Sequence, residues 1–307
     1  MRATSRRGLE RISPESRCRS KRQVTGRDFG AFGWFCSLVV VAQEAASRGR
    51  ERARAERDRL PPIPLPSDAR LRSWVVRDYE GFDEASLPHA PFVIPAMLAT
   101  SLAVAVRDSP LRSPAFVYGP SGTYTRVVGR TCGPPSVRVR LAPLGAYKLL
   151  GPALSEIGGS IIGLEDIVGA EARRLSERSQ SAQTWEERGR LLDDFLLDRA
   201  RRGPQPSPEV SQAWHLLVRS GGRSTIGRIA REVGWSHKHL ITRFKQQVGV
   251  APHMAARLVR LSTVWRHLDD GQSWARIAAE SGYADQAHLT REFRRLTGTT
   301  PGALITA

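Results

Sequence analysis

Two segments near the C-terminal end of the chain carry polar and cationic side chains at matching positions. Each begins at a residue type that commonly caps a helix, Ser236 or Asp285, and has large apolar residues four and eight positions later. If both segments are helical, these apolar residues share a buried face, and positions +1, +2, +5, +6 and +9 face outward. The outward residues are His237, Lys238, Ile241, Thr242 and Lys245 in the first segment, and Gln286, Ala287, Thr290, Arg291 and Arg294 in the second.

These side chains have the chemistry that contact with double-stranded DNA requires. An arginine such as Arg291 can pair with guanine through two hydrogen bonds, Gln286 can pair with adenine in the same way, and Ile241 or Ala287 can contact a thymine methyl group. Lys245 and Arg294 lie one turn later, where contact with phosphate is expected. We therefore predict that all ten residues bind DNA, although any one of them could instead be an ordinary surface side chain.

The two segments are parts of a longer repeat. Residues 229–235 return as residues 277–283, 48 positions later, whereas residues from Ser236 onward return 49 positions later, beginning at Asp285. The inserted residue, Ala284, falls in a turn, so it does not rotate the following helix by the roughly 100° that a slip within a helix would cause. Each copy is therefore predicted to fold as helix, tight turn and helix, with the glycine ending the first helix and the next aromatic residue folding back on it.

The stretch from about Ser207 to Ala307 resembles the C-terminal DNA-binding domain of AraC-type transcriptional regulators. The resemblance is carried by the second copy, residues 277–301, and is looser in the first, where Ile241 and Thr242 stand in place of longer polar residues. It implies an all-α domain with two helix-turn-helix units joined by a long helix. Independently, Pro252 and an apolar pattern that runs to Asp270 and Gly271 predict such a connector. Two helix-turn-helix units of this kind bind DNA sites about 34 Å apart. Because the two units differ in sequence, the expected DNA site is asymmetric.

The region before this domain has a different character. Short β-type runs alternate with glycine and proline over residues 61–165, which predicts a small barrel or sandwich, and residues 164–178 and 185–202 are predicted helices. Residues 137–146 and 163–169 faintly resemble sensory modules of some AraC-type regulators, which implies that this domain binds a small effector or forms a homodimer. Leu191 and Phe195 belong to an apolar stripe that could form a dimer seam or pack on its own domain. Aromatic residues could line a pocket or form the core; these are Trp74, Tyr79, Phe92, Tyr118 and Tyr124.

Charge is distributed unevenly along the 307 residues. The formal net charge is +17, and Lys and Arg outnumber Asp and Glu by 15 to 7 in residues 1–60 and by 14 to 7 in residues 207–307, but only by 18 to 16 in residues 61–206. A polyanionic partner is therefore expected at the two ends of the chain and not in the middle. Residues 1–60 are interpreted as a basic, disordered extension or as an over-extended reading frame. Their apolar run of 14 residues is shorter than the ~20 that a membrane span needs, so no membrane partner is expected.

Other classes of protein find little support. Cys18, Cys36 and Cys132 lack the spacing of disulfide or metal sites, which favours a reducing compartment, the cytoplasm. The glycine-containing segment 119–123 lacks the lysine of a phosphate-binding loop. The sequence also shows neither the strand-turn-helix motif of a catalytic nucleophile nor a set of metal ligands, so no cofactor or metal is expected.

The sequence thus predicts an α+β protein with four parts. They are a basic extension (1–60), a β-rich sensor domain (61–165), a helical linker and potential dimerisation segment (166–206) and a DNA-binding domain (207–307). We interpret the protein as a sequence-specific transcriptional regulator, not an enzyme, whose partners are DNA, a small effector or a second copy, and RNA polymerase if it activates. The alternatives are a catalytic domain fused to the same DNA-binding module and a constitutive DNA binder without an effector.

Overall fold

The computed structural model describes residues 22–25, 61–83, 92–107, 113–128, 134–151, 154–268 and 272–301. Most of the predicted basic extension, the three cysteines, and the predicted helix break at Asp270 and Gly271 lie outside these residues. Within them, the structure confirms a β-rich part followed by an all-α part.

Nine strands in the described residues form two sheets. They are β1 (Arg22–Thr25), β2 (Ile63–Leu65), β3 (Tyr79–Phe82), β4 (Phe92–Ile94), β5 (Thr100–Ala105), β6 (Ala115–Tyr118), β7 (Thr125–Val128), β8 (Ser136–Leu141) and β9 (Ile161–Gly163). The larger sheet is antiparallel with the order β2-β3-β8-β5-β6-β9, and the smaller has the order β1-β7-β4, in which β1 runs parallel to β7. Among the described strands, β2 and β9 do not pair with each other, so the larger sheet is open rather than a barrel.

The same part of the chain contains, where the structure describes it, the helices α1 (Pro143–Leu150), α2 (Leu154–Ile157), α3 (Leu164–Val168), α4 (Ala170–Ser181) and α5 (Trp185–Arg202). Helix α4 packs on β5 and β6, and α5 packs on β2 and β8. Leu191, Leu192 and Leu196 are buried in this core, and Phe195 packs against it. The apolar stripe of α5 is therefore covered by its own domain.

Several local predictions are corrected by the structure. The apolar run at residues 74–76 is one of the short β-type runs from which strands were predicted, but it follows a 3-10 helix (Ala69–Leu71) in a turn, and only Val75 makes a β-bridge, to Leu141. The helix expected over residues 164–178 is divided into α3 and α4 at Gly169, whose φ of +64° interrupts regular helical geometry. Tyr79 and Tyr118 are core residues, not pocket walls, and the side chain of Phe92 is outside the described set.

The C-terminal part, over its described residues up to 301, consists of the helices α6 (Pro208–Arg219), α7 (Ile226–Glu232), α8 (His237–Val248), α9 (Pro252–Leu268), α10 (Trp274–Glu280) and α11 (Gln286–Thr297). Ser207 caps α6, with Pro208 as the first helical residue, and Pro252 begins α9, as predicted. Two apolar clusters hold this part together. The first contains Leu240 and Phe244, and the second contains Leu289 and Phe293, so each copy of the repeat has its own core.

We expect the link between β3 and α5 to stabilise the β-rich part. The Tyr79 hydroxyl donates to the Asp193 carboxylate at 2.6 Å, and the Asp68 backbone N–H donates to the same oxygen at 2.9 Å. Burial, with help from this carboxylate, raises the pKa of Tyr79. Asp193→Ala should lower the free energy of unfolding by about 1–3 kcal/mol, because it leaves a buried hydroxyl without its acceptor. Asp194→Ala, at the exposed neighbouring position, should change it by less than about 0.5 kcal/mol in the same urea titration; equal losses would contradict the assignment.

Candidate DNA-binding site

Helices α8 and α11, called the reading helices from here on, begin at the caps that the sequence predicts. The Ser236 hydroxyl accepts a hydrogen bond from the His239 backbone N–H at 3.2 Å, and the Asp285 carboxylate accepts one from the His288 backbone N–H at 2.6 Å. Each cap satisfies a backbone donor that the first helical turn would otherwise leave without a partner. Both reading helices are 12 residues long and end at a glycine in the left-handed region, Gly249 or Gly298.

The turn before each reading helix is built in the same way. In the first unit, the Trp235 N–H donates to the Ala230 carbonyl and the Gly234 N–H donates to the Arg231 carbonyl. In the second, Tyr283 and Gly282 make the equivalent bonds to Ala278 and Ala279. This pair of bonds is the Schellman motif, which needs a positive φ at the glycine; φ is +73° at Gly234 and +76° at Gly282. The predicted helix-turn-helix geometry is thus present in both copies.

A histidine on each reading helix packs on the aromatic residue of that turn. The rings of Trp235 and His239 are 4.5 Å apart with an interplanar angle of 81°, and those of Tyr283 and His288 are 5.4 Å apart with an angle of 85°. Edge-to-face contact of this kind holds the start of the reading helix against the preceding turn. His239 therefore has a supporting position, whereas His237 remains on the outer face.

The ten predicted residues lie on the outer faces of the reading helices. His237, Lys238, Thr242 and Lys245 are exposed on α8, and Ile241 is half-buried. On α11, Gln286, Ala287, Arg291 and Arg294 are exposed, and Thr290 is half-buried. The hydroxyls of Thr242 and Thr290 donate to carbonyls one turn back, which leaves their oxygens free to accept hydrogen bonds.

The cationic side chains of these faces are not neutralised by any residue that the structure describes. Among the described residues, no carboxylate lies within ion-pair distance of Lys238, Lys245, Arg291 or Arg294. Further cations lie nearby that sequence analysis did not propose. Arg295 is exposed on α11, and Arg223 and Arg228 line an open cavity of about 330 Å³ at the start of α7. The pattern did not select them because Arg295 lies one residue past the last outward position considered, and Arg223 and Arg228 lie before the first of the two capped segments.

A buried ionic network connects the second reading helix to the connector. Glu292 of α11 is only 9% exposed and lies 3.1 Å from Nε of Arg257 and 3.7 Å from a guanidinium nitrogen of Arg260, both on α9. The guanidinium of Arg260 also lies 5.8 Å from the centre of the Tyr283 ring. Burial, together with the nearby Glu292 carboxylate, raises the pKa of Tyr283 to about 12.

Arg260 also contacts the first unit. Its other terminal nitrogen donates to the Gly222 carbonyl, in the loop before α7, at 2.8 Å. One side chain of the connector therefore joins the loop of the first unit, the turn of the second unit and the second reading helix. Such a planar group with several fixed donors limits how the two units can rotate about the connector.

In the part of the chain that the structure describes, there is no group of three or more His, Cys, Asp or Glu side chains that could hold a metal ion. None of the described helices is both long enough and apolar enough to cross a membrane.

The buried and exposed ion pairs of the second unit should differ in their effect on stability. Glu292→Ala removes the acceptor shared by Arg257 and Arg260, and we expect it to reduce the protection of α9 and α11 from amide hydrogen exchange by about 3 kcal/mol. Glu280→Ala breaks the pair with Arg276, whose side chain is 67% exposed, and should cost less than about 1 kcal/mol in the same measurement. A loss for Glu292→Ala no larger than that of Glu280→Ala would show that the network is not stabilising.

Comparisons with known proteins agree with this geometry. Residues 211–307 match a family model described as a helix-turn-helix domain. The uncharacterized HTH-type transcriptional regulator YbfI of Bacillus subtilis (strain 168) is 26% identical over 135 residues, which are 44% of this chain and 48% of that protein. The chain thus spans about half the length of the curated relative that it matches.

Solved structures show weaker similarity. The C-terminal domain of AraT, a response regulator from Geobacillus stearothermophilus, has a TM-score of 0.32 and 20% identity, covering 34% of this chain and 89% of that chain. ToxT from Vibrio cholerae O395 has a TM-score of 0.38 and 11% identity, covering 74% and 95%. Superpositions at this level carry no conclusion about this chain. The paired helix-turn-helix units and the family match over residues 211–307 together show that the C-terminal part of the chain is a helix-turn-helix domain.

Proposed function

We propose that the chain is a sequence-specific, DNA-binding transcriptional regulator that inserts α8 and α11 into successive major grooves of one DNA duplex. The observation that supports this most directly is the pair of equivalent helices whose outer faces are polar, cationic and uncovered. Each helix is held by its own turn of the same type, and both are attached to one connector. They can therefore act together on a rigid double-stranded target.

The ten outward residues are proposed to divide into two groups. Residues of the first turns, such as His237, Lys238 and Gln286, would reach base edges, because the N-terminal part of a recognition helix enters the groove most deeply. Arg291 extends this group on α11. Lys245 and Arg294, further along each helix, would contact phosphates and set the register.

The N-terminal domain is proposed to regulate this binding. Its helices α1 and α2 pack directly against α8, and Leu144 of α1 packs against the apolar cluster that contains Leu240 and Phe244. A small effector or a second copy of the chain that shifted this domain would therefore act on the first reading helix. Such a regulator would act in the cytoplasm without catalysis and, as an activator, would contact RNA polymerase.

The base-reading role of Arg291 can be separated from general attraction to DNA. Bound sequences would first be selected from a random DNA pool with the full chain. Arg291→Ala should then weaken binding to the selected site by about 1–3 kcal/mol, and selection with the variant should lose preference at one base position. Arg173→Ala, which removes the same charge from an exposed position of α4, should leave both unchanged. Equal losses for Arg291→Ala on selected and random DNA would refute base reading by this residue.

Lys245 should behave differently, because phosphate contacts carry no sequence information. Lys245→Ala should weaken binding to selected and random DNA to the same extent. It should also reduce the slope of log K against log salt concentration by about one unit, which corresponds to one fewer counterion released. Titrations at several salt concentrations measure this slope, and an unchanged slope with altered base preference would reverse the assignment.

A further inference from the structure

A six-residue loop of the N-terminal domain lies against the C-terminal ends of both reading helices. This loop, residues 119–124, connects β6 to β7 and is called the bridging loop here. Its sequence is rich in glycine, but it lacks the lysine that phosphate binding would require. Its position between the domains accounts for Gly122 in another way, and a Cβ atom at Gly119 would overlap the backbone of Ile157 in the N-terminal domain.

The two contacts are made at equivalent positions of the repeat. Gly249 ends the first reading helix and Gly298 ends the second, 49 residues later, with φ of +86° and +81°. A Cβ atom at Gly249 would overlap Cγ of Pro120, and one at Gly298 would lie 3.0 Å from a ring carbon of Tyr124. Pro120 is buried, and Tyr124 is half-buried at this junction. Two side chains of one short loop therefore meet the same structural position in both units.

The loop also contacts the connector between these two points. A Cβ atom at Gly122 would lie 2.9 Å from Cγ of Met254, in the first turn of α9. A neighbouring segment extends the contact: the Ala96 N–H donates to the Leu296 carbonyl at 2.8 Å, and so satisfies a carbonyl in the last turn of α11. Leu98, in the same segment, packs against the apolar cores of both units.

Hydrogen bonds make the bridging loop a stiff element. Ser121 and Met97 exchange two backbone hydrogen bonds of 2.9 Å, and the Gly159 N–H donates to the Pro120 carbonyl at 2.8 Å. The Ser121 hydroxyl donates to the Thr123 carbonyl at 2.6 Å. At the base of the loop, the hydroxyls of Tyr118 and Thr125 are hydrogen-bonded at 3.1 Å. The loop is thus anchored to the N-terminal domain on several sides, so that its outer surface can hold the ends of the reading helices in fixed positions.

We propose that the bridging loop fixes the separation and angle of the two reading helices, and that Pro120 and Tyr124 are positioning residues that set the DNA spacing which the protein accepts. This inference rests on the proposed function. The connector, with Arg260, joins the units near the starts of their helices and turns, whereas the bridging loop holds the opposite ends. Two units that are attached at one place only can still rotate relative to each other. The bridging loop supplies a second attachment, which limits this rotation.

The experiment uses the full chain and the DNA site selected by the wild type. Versions of this site are prepared with one base pair removed, or with one or two added, between the two halves, and the affinity for each is measured. We expect the wild type to bind the best spacing at least tenfold more tightly than its neighbours. The double variant Pro120→Ala with Tyr124→Ala should reduce this ratio at least fivefold, because reading helices that are held less rigidly can also bind sites with other spacings.

Thr123→Ala is the matched control. Its side chain is exposed in the same loop, so the wild-type spacing ratio should be retained. Circular dichroism and thermal melting of each variant establish that it is folded. A second variant uses the opposite end of the contact: Gly298→Ala should disturb the spacing ratio by pushing against Tyr124, and adding Tyr124→Ala should relieve the part caused by that clash.

The outcomes separate the two proposals. Failure of the wild type to bind any DNA selectively would overturn the proposed function and this inference with it. Selective binding by the wild type with no spacing preference, or an unchanged preference in a folded double variant, would overturn only the role of the bridging loop. A reduced ratio in the double variant, with Thr123→Ala unaffected, supports it.

Discussion

Each reading helix is aimed by the turn that precedes it, and the turn depends on one residue with a positive φ. At Gly234 and Gly282 the chain leaves one helix, returns two hydrogen bonds to that helix and starts the next within two or three residues. A residue with a Cβ would strain this conformation. The aromatic residue after the glycine then packs against a histidine of the reading helix, so the backbone turn and the side-chain contact fix the same angle. The exposed polar face follows from this constraint, because the opposite face has to cover the apolar core.

The two units are joined by long-range contacts as well as by the connector. Arg260 uses its guanidinium in three directions, toward Gly222, Glu292 and the ring of Tyr283. A buried network of this kind adds little net stability compared with apolar packing, but it has few alternative arrangements that satisfy its charges. Its contribution is therefore to orientation. The apolar contacts of Leu258 and Leu261 with the second core hold the second unit on the connector, and the ionic network determines its orientation.

The parts that could be predicted from the sequence are those determined by neighbouring residues. Caps at Ser236 and Asp285, the left-handed glycines and the outward faces all depend on residues within about one or two helical turns. The strand predicted at residues 74–76 was wrong because an apolar β-type run does not reveal that its backbone packs against the start of α1. The carbonyl of Trp74 accepts a hydrogen bond from the Ala142 N–H, and Gly145 approaches the Trp74 backbone too closely for a side chain. The roles of Arg260 and Tyr124 also could not be found, because their partners are distant in sequence and follow no period.

The location of the interdomain contact constrains how regulation can work. The N-terminal domain contacts the C-terminal ends of the reading helices, with Pro120 against Gly249 and Tyr124 against Gly298, and leaves His237, Lys238 and Gln286 exposed at their starts. A domain in this position does not block the surface proposed to enter the groove. Binding of DNA and packing of the two domains are therefore compatible. An effector would change affinity by altering the relative position of the two heads, since simple occlusion would require the domain to lie on the opposite side.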